Sequence, residues 1–215
     1  MAEQQKCKKL ASVLVEHQDH FATMSSEDCQ WAIQNPKDAI ALFVLAVKSR
    51  VVETVKQLLK RLPVVISLTA VKEFVAKKHF VVDTSKKAKV KIRYLGDNFK
   101  KHFLPKVEKG EVAALNLALN ELTEYAYDPA IITALGGEAK VEITLGQFFA
   151  AFAKQPNGED GPLLTNGYAN VGYIRNDEGV LWAVSGSWHD GGWHFEADPL
   201  AYPNGWFVGL QFLSR

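Results

Sequence analysis

Residues 48–109 hold 17 lysines and arginines against 5 acids, an excess of +12 within a chain whose total is only +1. Ten of these cations are the candidate phosphate contacts: Lys72, Lys77, Lys78, Lys86, Lys87, Lys89, Lys91, Arg93, Lys100 and Lys101. Lys89, Lys91 and Arg93 alternate along the chain, and alternate residues of a strand repeat at about 7 Å, close to the phosphate spacing of a nucleic acid. Each phosphate neutralised releases counterions, so such a surface binds with strong salt dependence. Arginine, asparagine and glutamine, which make most base contacts, are scarce here, and Glu73 interrupts the run. We therefore expect backbone contact, with DNA and RNA both fitting. Two other readings stand beside it: docking onto an acidic segment of this protein, and a plainly solvated lysine face.

The acidic segment is residues 110–215, with 4 cations against 13 acids, or −9, while residues 1–47 carry 4 against 6, or −2. It is also aromatic. Trp188, Trp193 and Trp206 are the candidate contacts for a protein partner, because tryptophan is enriched at interface hot spots. Filling the core of a small sheet is the competing role: Trp182, Val184, Gly186 and Trp188 share one strand face, and Trp193, Phe195 and Ala197 share another. A second functional class follows, an inhibitor or adaptor of a host factor acting through this part. Pairing of the basic and acidic segments would also make a homo-oligomer.

Catalysis and metal binding find little support. His189, Asp190 and His194 straddle a turn, and His17 and His20 are three apart on a helix, but neither set supplies a convincing third and fourth ligand. GxSxG, HExxH, P-loop and dinucleotide motifs are absent. Gly136-Gly137 reads as a helix terminator, and Glu121 with Glu124 reads as solvated surface. No catalytic residue, metal or cofactor is expected. Cys7 and Cys29 do not form a CxxC pair, so a reducing compartment fits better than an oxidising one.

The elements expected to position these residues begin with an amphipathic helix over 3–22 and a short one around Trp31. Asn35-Pro36 starts a third, with asparagine as cap and proline at the first helical position. Ser49 caps a fourth, which Pro63 stops. Residues 67–78 read as a recognition helix, followed by a hairpin of strands 80–84 and 88–95 carrying the lysines, a winged-helix-like arrangement. Residues 111–126 read as a helix on Val112, Leu115, Leu119 and Leu122, and Thr144 caps a short helix through Phe152. Ten of 15 glycines and four of five tryptophans follow Gln155. This predicts a small antiparallel sheet turning at Asp177-Glu178-Gly179 and Asp190-Gly191-Gly192. The expected fold is α+β: a mainly helical, basic module over 1–109, then an acidic module over 110–215.

Asn170-Val171-Gly172-Tyr173, the strand Val180–Val184, Trp188-His189-Asp190-Gly191-Gly192-Trp193 and Pro203-Asn204-Gly205-Trp206 together resemble the C-terminal segments of uncharacterised bacteriophage and prophage proteins. The resemblance covers about a fifth of the chain. It implies a bacterial host cytoplasm and brings no activity or functional residue. The longest apolar run, Ala39–Val47, is far short of the about 20 residues a membrane span needs, so no membrane partner is expected.

Overall fold

Strand formation here is governed by pairing across the chain more than by local preference, and the segment around Leu119 shows why. The computed structural model describes residues 26–37, 39–41, 58–70, 72–110, 113–200 and 205–215. In chain order the elements are a helix Ser26–Gln34 (α1), strands Leu59–Leu68 (β1) and Phe74–Val75 (β2), and a helical turn Ala76–His79 (α2). Next come the strand Ile92–Leu95 (β3), the helix Asp97–His102 (α3), and the strands Val107–Glu108 (β4) and Leu115–Leu122 (β5). Helices Asp128–Ala134 (α4), Glu138–Val141 (α5) and Leu145–Phe152 (α6) follow, then strands Asn170–Arg175 (β6), Leu181–His189 (β7), Gly192–Pro199 (β8) and Gln211–Ser214 (β9).

The chain divides into two units, Met1–Val51 and Val52–Arg215. In the first, α1 matches the short helix expected around Trp31, and helical backbone resumes at Pro36 as expected. The helix expected over 3–22 lies outside the described residues. The second unit is built on a seven-stranded sheet in the order β1-β5-β9-β6-β7-β8-β3. The pairs β6/β9 and β3/β8 are parallel and the rest antiparallel.

This architecture overturns the expected mainly helical first part with its wing and separate small sheet. Among the described residues strand exceeds helix, and strands from both sides of residue 110 share one sheet. Residues 115–122 are β5, paired on both sides and covered on both faces, so leucines occupy both phases and mimic helical spacing. Pro63 does not stop a helix. It falls where the register of β1 shifts between Arg61 and Val65, at the sheet edge, a position that tolerates a missing N–H.

The recognition helix is also absent. Residues 67–68 finish β1, Phe74–Val75 pair with Val107–Glu108, and only α2 is helical. Of the wing, Asp83 and Ile92 form a single bridge, and β3 pairs in parallel with β8. The alternation was in phase, with Val90 and Ile92 buried and Lys89 and Arg93 exposed, but the partner strand lies a hundred residues away.

One face of the sheet packs Leu117, Val184, Phe195 and Leu213 against Phe80, Phe99, Phe148 and Phe152. Each buried phenylalanine contributes about 1.5–3 kcal/mol. The other face is covered by Ile131 and Ile132 of α4 and by Val141, over Val171, Tyr173, Ala183 and Phe212. That cover stops partway along β7 and β8. Ser185, Ser187, His194 and Asp198 remain partly open and Glu196 is exposed.

Candidate functional site

Three pieces of chain converge on the basic cleft: α2, the connection over residues 80–91, and the end of α6. The connection is tied at its ends. Asp83 and Ile92 exchange backbone hydrogen bonds of 2.9 and 3.0 Å, and Lys91 N–H donates to the Pro156 carbonyl at 2.9 Å. Inside it, Ser85 N–H donates to Asp83 Oδ1 at 2.8 Å and Lys87 N–H donates to Ser85 Oγ at 3.3 Å. Hydrogen bonds from the Ser85 backbone N–H and then the Ser85 hydroxyl hold the Asp83 carboxyl below the usual carboxylate range. Asp83 is therefore a fixed anion that orders the turn carrying Lys86 and Lys87.

The cleft encloses about 360 Å³. Lys78, Lys87 and Lys89 line it with His79, against the single carboxylate of Asp83 and an apolar floor that includes Phe149 and Val90. His79 stacks on Phe74 with centroids 4.5 Å apart and lies 5.0 Å from Phe149. Burial, then Lys89 and Lys78, lower its pKa, so it stays uncharged at neutral pH. Like charges crowd a concave surface here, with nothing of opposite sign beyond Asp83 among the described residues that line it.

No protein-family model, curated protein or solved structure matches this chain. The site is therefore read from its own chemistry.

The structure brings together Lys78, Lys87 and Lys89 of the ten candidates. Lys77 is exposed on α2 and Lys86 on the turn, beside the cleft in sequence but not lining it. Lys72 is exposed between β1 and β2. Lys91 is half-buried and acts electrostatically on Glu159. Arg93 is exposed on β3 and acts on His194. On α3, Lys101 is exposed, while Lys100 donates to Asp97 at 3.2 Å and lies over the Tyr94 ring. Among the described residues, Lys72, Lys77, Lys78, Lys86, Lys87, Lys89, Lys91 and Arg93 form no ion pair.

The aromatic candidates separate. Trp193 is fully buried, with Nε1 donating to the Gln155 carbonyl at 3.0 Å and its ring packed on Phe152, so it is core and not a partner contact. Trp188 is half-buried over Trp193, and Gly158 lies directly against its indole. Trp206 is half-buried and lines a second cavity of about 300 Å³ on the open sheet face.

His189 and His194 face each other at 5.3 Å, but among the described residues no three His, Cys, Asp or Glu side chains could share a metal. His17 and His20 lie outside the described residues. Among the described residues no helix is long and apolar enough to cross a membrane. His79 and Phe149 went unnoticed as site residues in the sequence. Their signal was there, a histidine closing a run of lysines and a three-phenylalanine helix, but only the fold puts them side by side.

Proposed function

We propose that this protein binds nucleic acid without catalysing a reaction on it, chiefly by phosphate contacts in the basic cleft. The observation that carries this reading is the convergence of Lys78, Lys87 and Lys89 on one concave surface where, among the described residues, a single carboxylate opposes them. Ammonium groups so placed repel one another, and a polyanion offsets that repulsion while releasing its own counterions. Lys77 and Lys86, exposed and next in sequence to Lys78 and Lys87, add to the positive charge. The site supplies lysine almost alone, which suits the backbone and not the base edges. The His79 and Phe149 rings give the floor two flat surfaces on which an unpaired base could stack, which favours single strands over duplex.

The test is fluorescence anisotropy of labelled single- and double-stranded DNA and RNA across a salt series. Contact with about five phosphates gives a log–log slope of about −3.5 for single strands or about −4.5 for duplex. Reversal of Lys78, Lys87 and Lys89 to glutamate should abolish binding while far-UV circular dichroism stays unchanged. No binding at low salt, or unaltered affinity in that folded variant, would overturn the reading.

A further inference from the structure

We propose that the basic cleft takes the terminal nucleotide of a strand that ends in a phosphomonoester, so that the protein recognises phosphorylated strand ends and not the interior of a continuous strand. The inference deepens the nucleic-acid reading and rests on it.

Charge is the first discriminator. Lys78, Lys87 and Lys89 face one carboxylate, Asp83, and His79 is uncharged at neutral pH, so the described lining carries three positive charges against one negative and nets +2. Asp83 does not cancel a lysine by contact. Its Oδ1 accepts from Ser85 N–H at 2.8 Å, and among the described residues neither it nor any of the three lysines forms an ion pair. Lys89 and Lys78 both act electrostatically on His79, so their charges gather around one ring. A terminal phosphomonoester carries about −2 at neutral pH, whereas each phosphate inside a strand carries a single charge. The dianion balances the site. A diester leaves one cation of a crowded concave surface uncompensated.

Size is the second. At about 360 Å³ the cleft falls at the small end of ligand pockets, with room for one nucleotide and not for a run of them. An interior nucleotide needs two ways out for its chain, and an end needs one. Phosphates further along the strand fall to exposed lysines outside the cavity, such as Lys77 and Lys86. The walls suit the nucleoside that carries the phosphate. Val81 lines the cavity and is 51% exposed although branched and apolar, and Val90 and Phe149 add to the apolar lining. Both rings are fixed in advance: His79 stacks on buried Phe74, and Phe149 packs on Phe74 and on buried Phe80 at 5.8 and 5.1 Å. A base can therefore stack without ordering them first. Inorganic phosphate would satisfy the lysines and leave this lining bare.

The experiment is fluorescence anisotropy of the full chain with one internally labelled single-stranded DNA dodecamer. Its ends carry a 5′-phosphate, a 3′-phosphate, the methyl ester of either, or hydroxyls alone. A hydroxyl-ended strand two nucleotides longer matches the total charge of the phosphorylated ones. One phosphorylated end should bind at least tenfold tighter than both hydroxyl-ended strands, and its methyl ester, with a single charge, should bind as they do. K78Q/K87Q/K89Q should bring every strand to within about twofold of the others. Equal affinity for all strands, a methyl ester as good as the free phosphate, or a preference that persists in the folded triple variant overturns the inference and leaves the nucleic-acid reading standing. Adenosine monophosphate or a phosphotyrosyl peptide that competes within tenfold of the strand's Kd also overturns the assignment to a strand end. No binding of any strand at low salt overturns both. The comparison of ends needs no variant, so a folding defect in K78Q/K87Q/K89Q leaves the test intact.

Discussion

Trp206 and Tyr173 donate to the same oxygen of Asp128, at 2.7 and 2.8 Å, although they approach from a loop after β8 and from the middle of β6. The shared acceptor ties α4 to the sheet and sets the orientation of the Trp206 indole. Burial drives the Asp128 pKa above the ordinary carboxylate value, outweighing both hydrogen bonds. Burial, and then the neighbouring charge of Asp128, push the Tyr173 phenol upward as well, so Tyr173 stays a donor across the working range.

The sign of the resulting pH dependence follows. A carboxylate whose pKa is higher folded than unfolded favours folding when protonated, so its contribution is fullest below about pH 4 and declines as pH rises through the folded value. Asp128→Asn keeps an acceptor for both donors and removes the charge. Thermal melts from pH 4 to 7 should show the variant gaining on the wild type as pH rises. Relief of the repulsion on Asp198 acts in the same direction. Parallel curves for the two proteins would rule this out.

Glu108 spans the start of α6. Its Oε1 accepts from Leu145 N–H at 2.8 Å and its Oε2 from Gly146 N–H at 2.9 Å, while Thr144 and Gln147 form a capping box on the same turn. Four free N–H groups are thereby reduced with a charge placed where the helix dipole favours it. Glu108→Ala should cost about 1–3 kcal/mol in urea unfolding. Because α6 carries Phe149 into the basic cleft, nucleic-acid affinity should fall with it. Glu108→Gln, which retains one good acceptor, should lose less than half as much.

Gly186 is a packing requirement. A Cβ there would stand 2.4 Å from the Phe152 ring and 2.9 Å from Phe195, both fully buried. Neither ring can withdraw without disturbing the aromatic cluster around it. Gly186→Ala should destabilise by about 1–3 kcal/mol or more. A companion Phe152→Leu substitution should recover part of the loss. An unchanged urea midpoint for the single variant would show that the cluster yields more easily than its geometry suggests.

The sequence carried the phase of the C-terminal strands well. Trp182, Val184 and Gly186 do face one core together, as do Trp193, Phe195 and Ala197, and both expected turns are present at Gly179 and Gly191. The Thr144 cap was equally legible, because a capping box is local. What local pattern could not show was pairing at long range. The parallel match of Ile92 with Trp193 leaves no turn signal, and β5, covered on both faces, loses its alternation. The same blindness hid the cleft and the acidic cavity. Lys78 and Phe149 lie 71 residues apart, and Asp128 and Asp198 lie 70 apart. The charge imbalance reported both surfaces in aggregate without locating either.

The position of His79 among the cleft lysines gives nucleic-acid binding its own pH signature. Burial, Lys89 and Lys78 lower its pKa, and Asp83 is the only carboxylate among the described residues that line the same cleft. Free His79 is therefore neutral at pH 7, and a bound phosphate would raise its pKa by opposing the lysine field. Proton uptake on binding follows, so affinity should strengthen as pH falls from 7 to about 5.5 and change little between 7 and 8. His79→Gln should remove the acid-side gain and, for duplex, whose bases do not stack on the ring, leave affinity at pH 8 within about twofold of the wild type. Lys89→Gln should do the reverse: weaken binding at every pH, reduce the salt slope by about one phosphate, and raise the pH at which the remaining gain begins. Observed together, these two opposite responses would locate the phosphate between His79 and Lys89. Identical pH profiles for the wild type and His79→Gln would place it elsewhere on the basic surface.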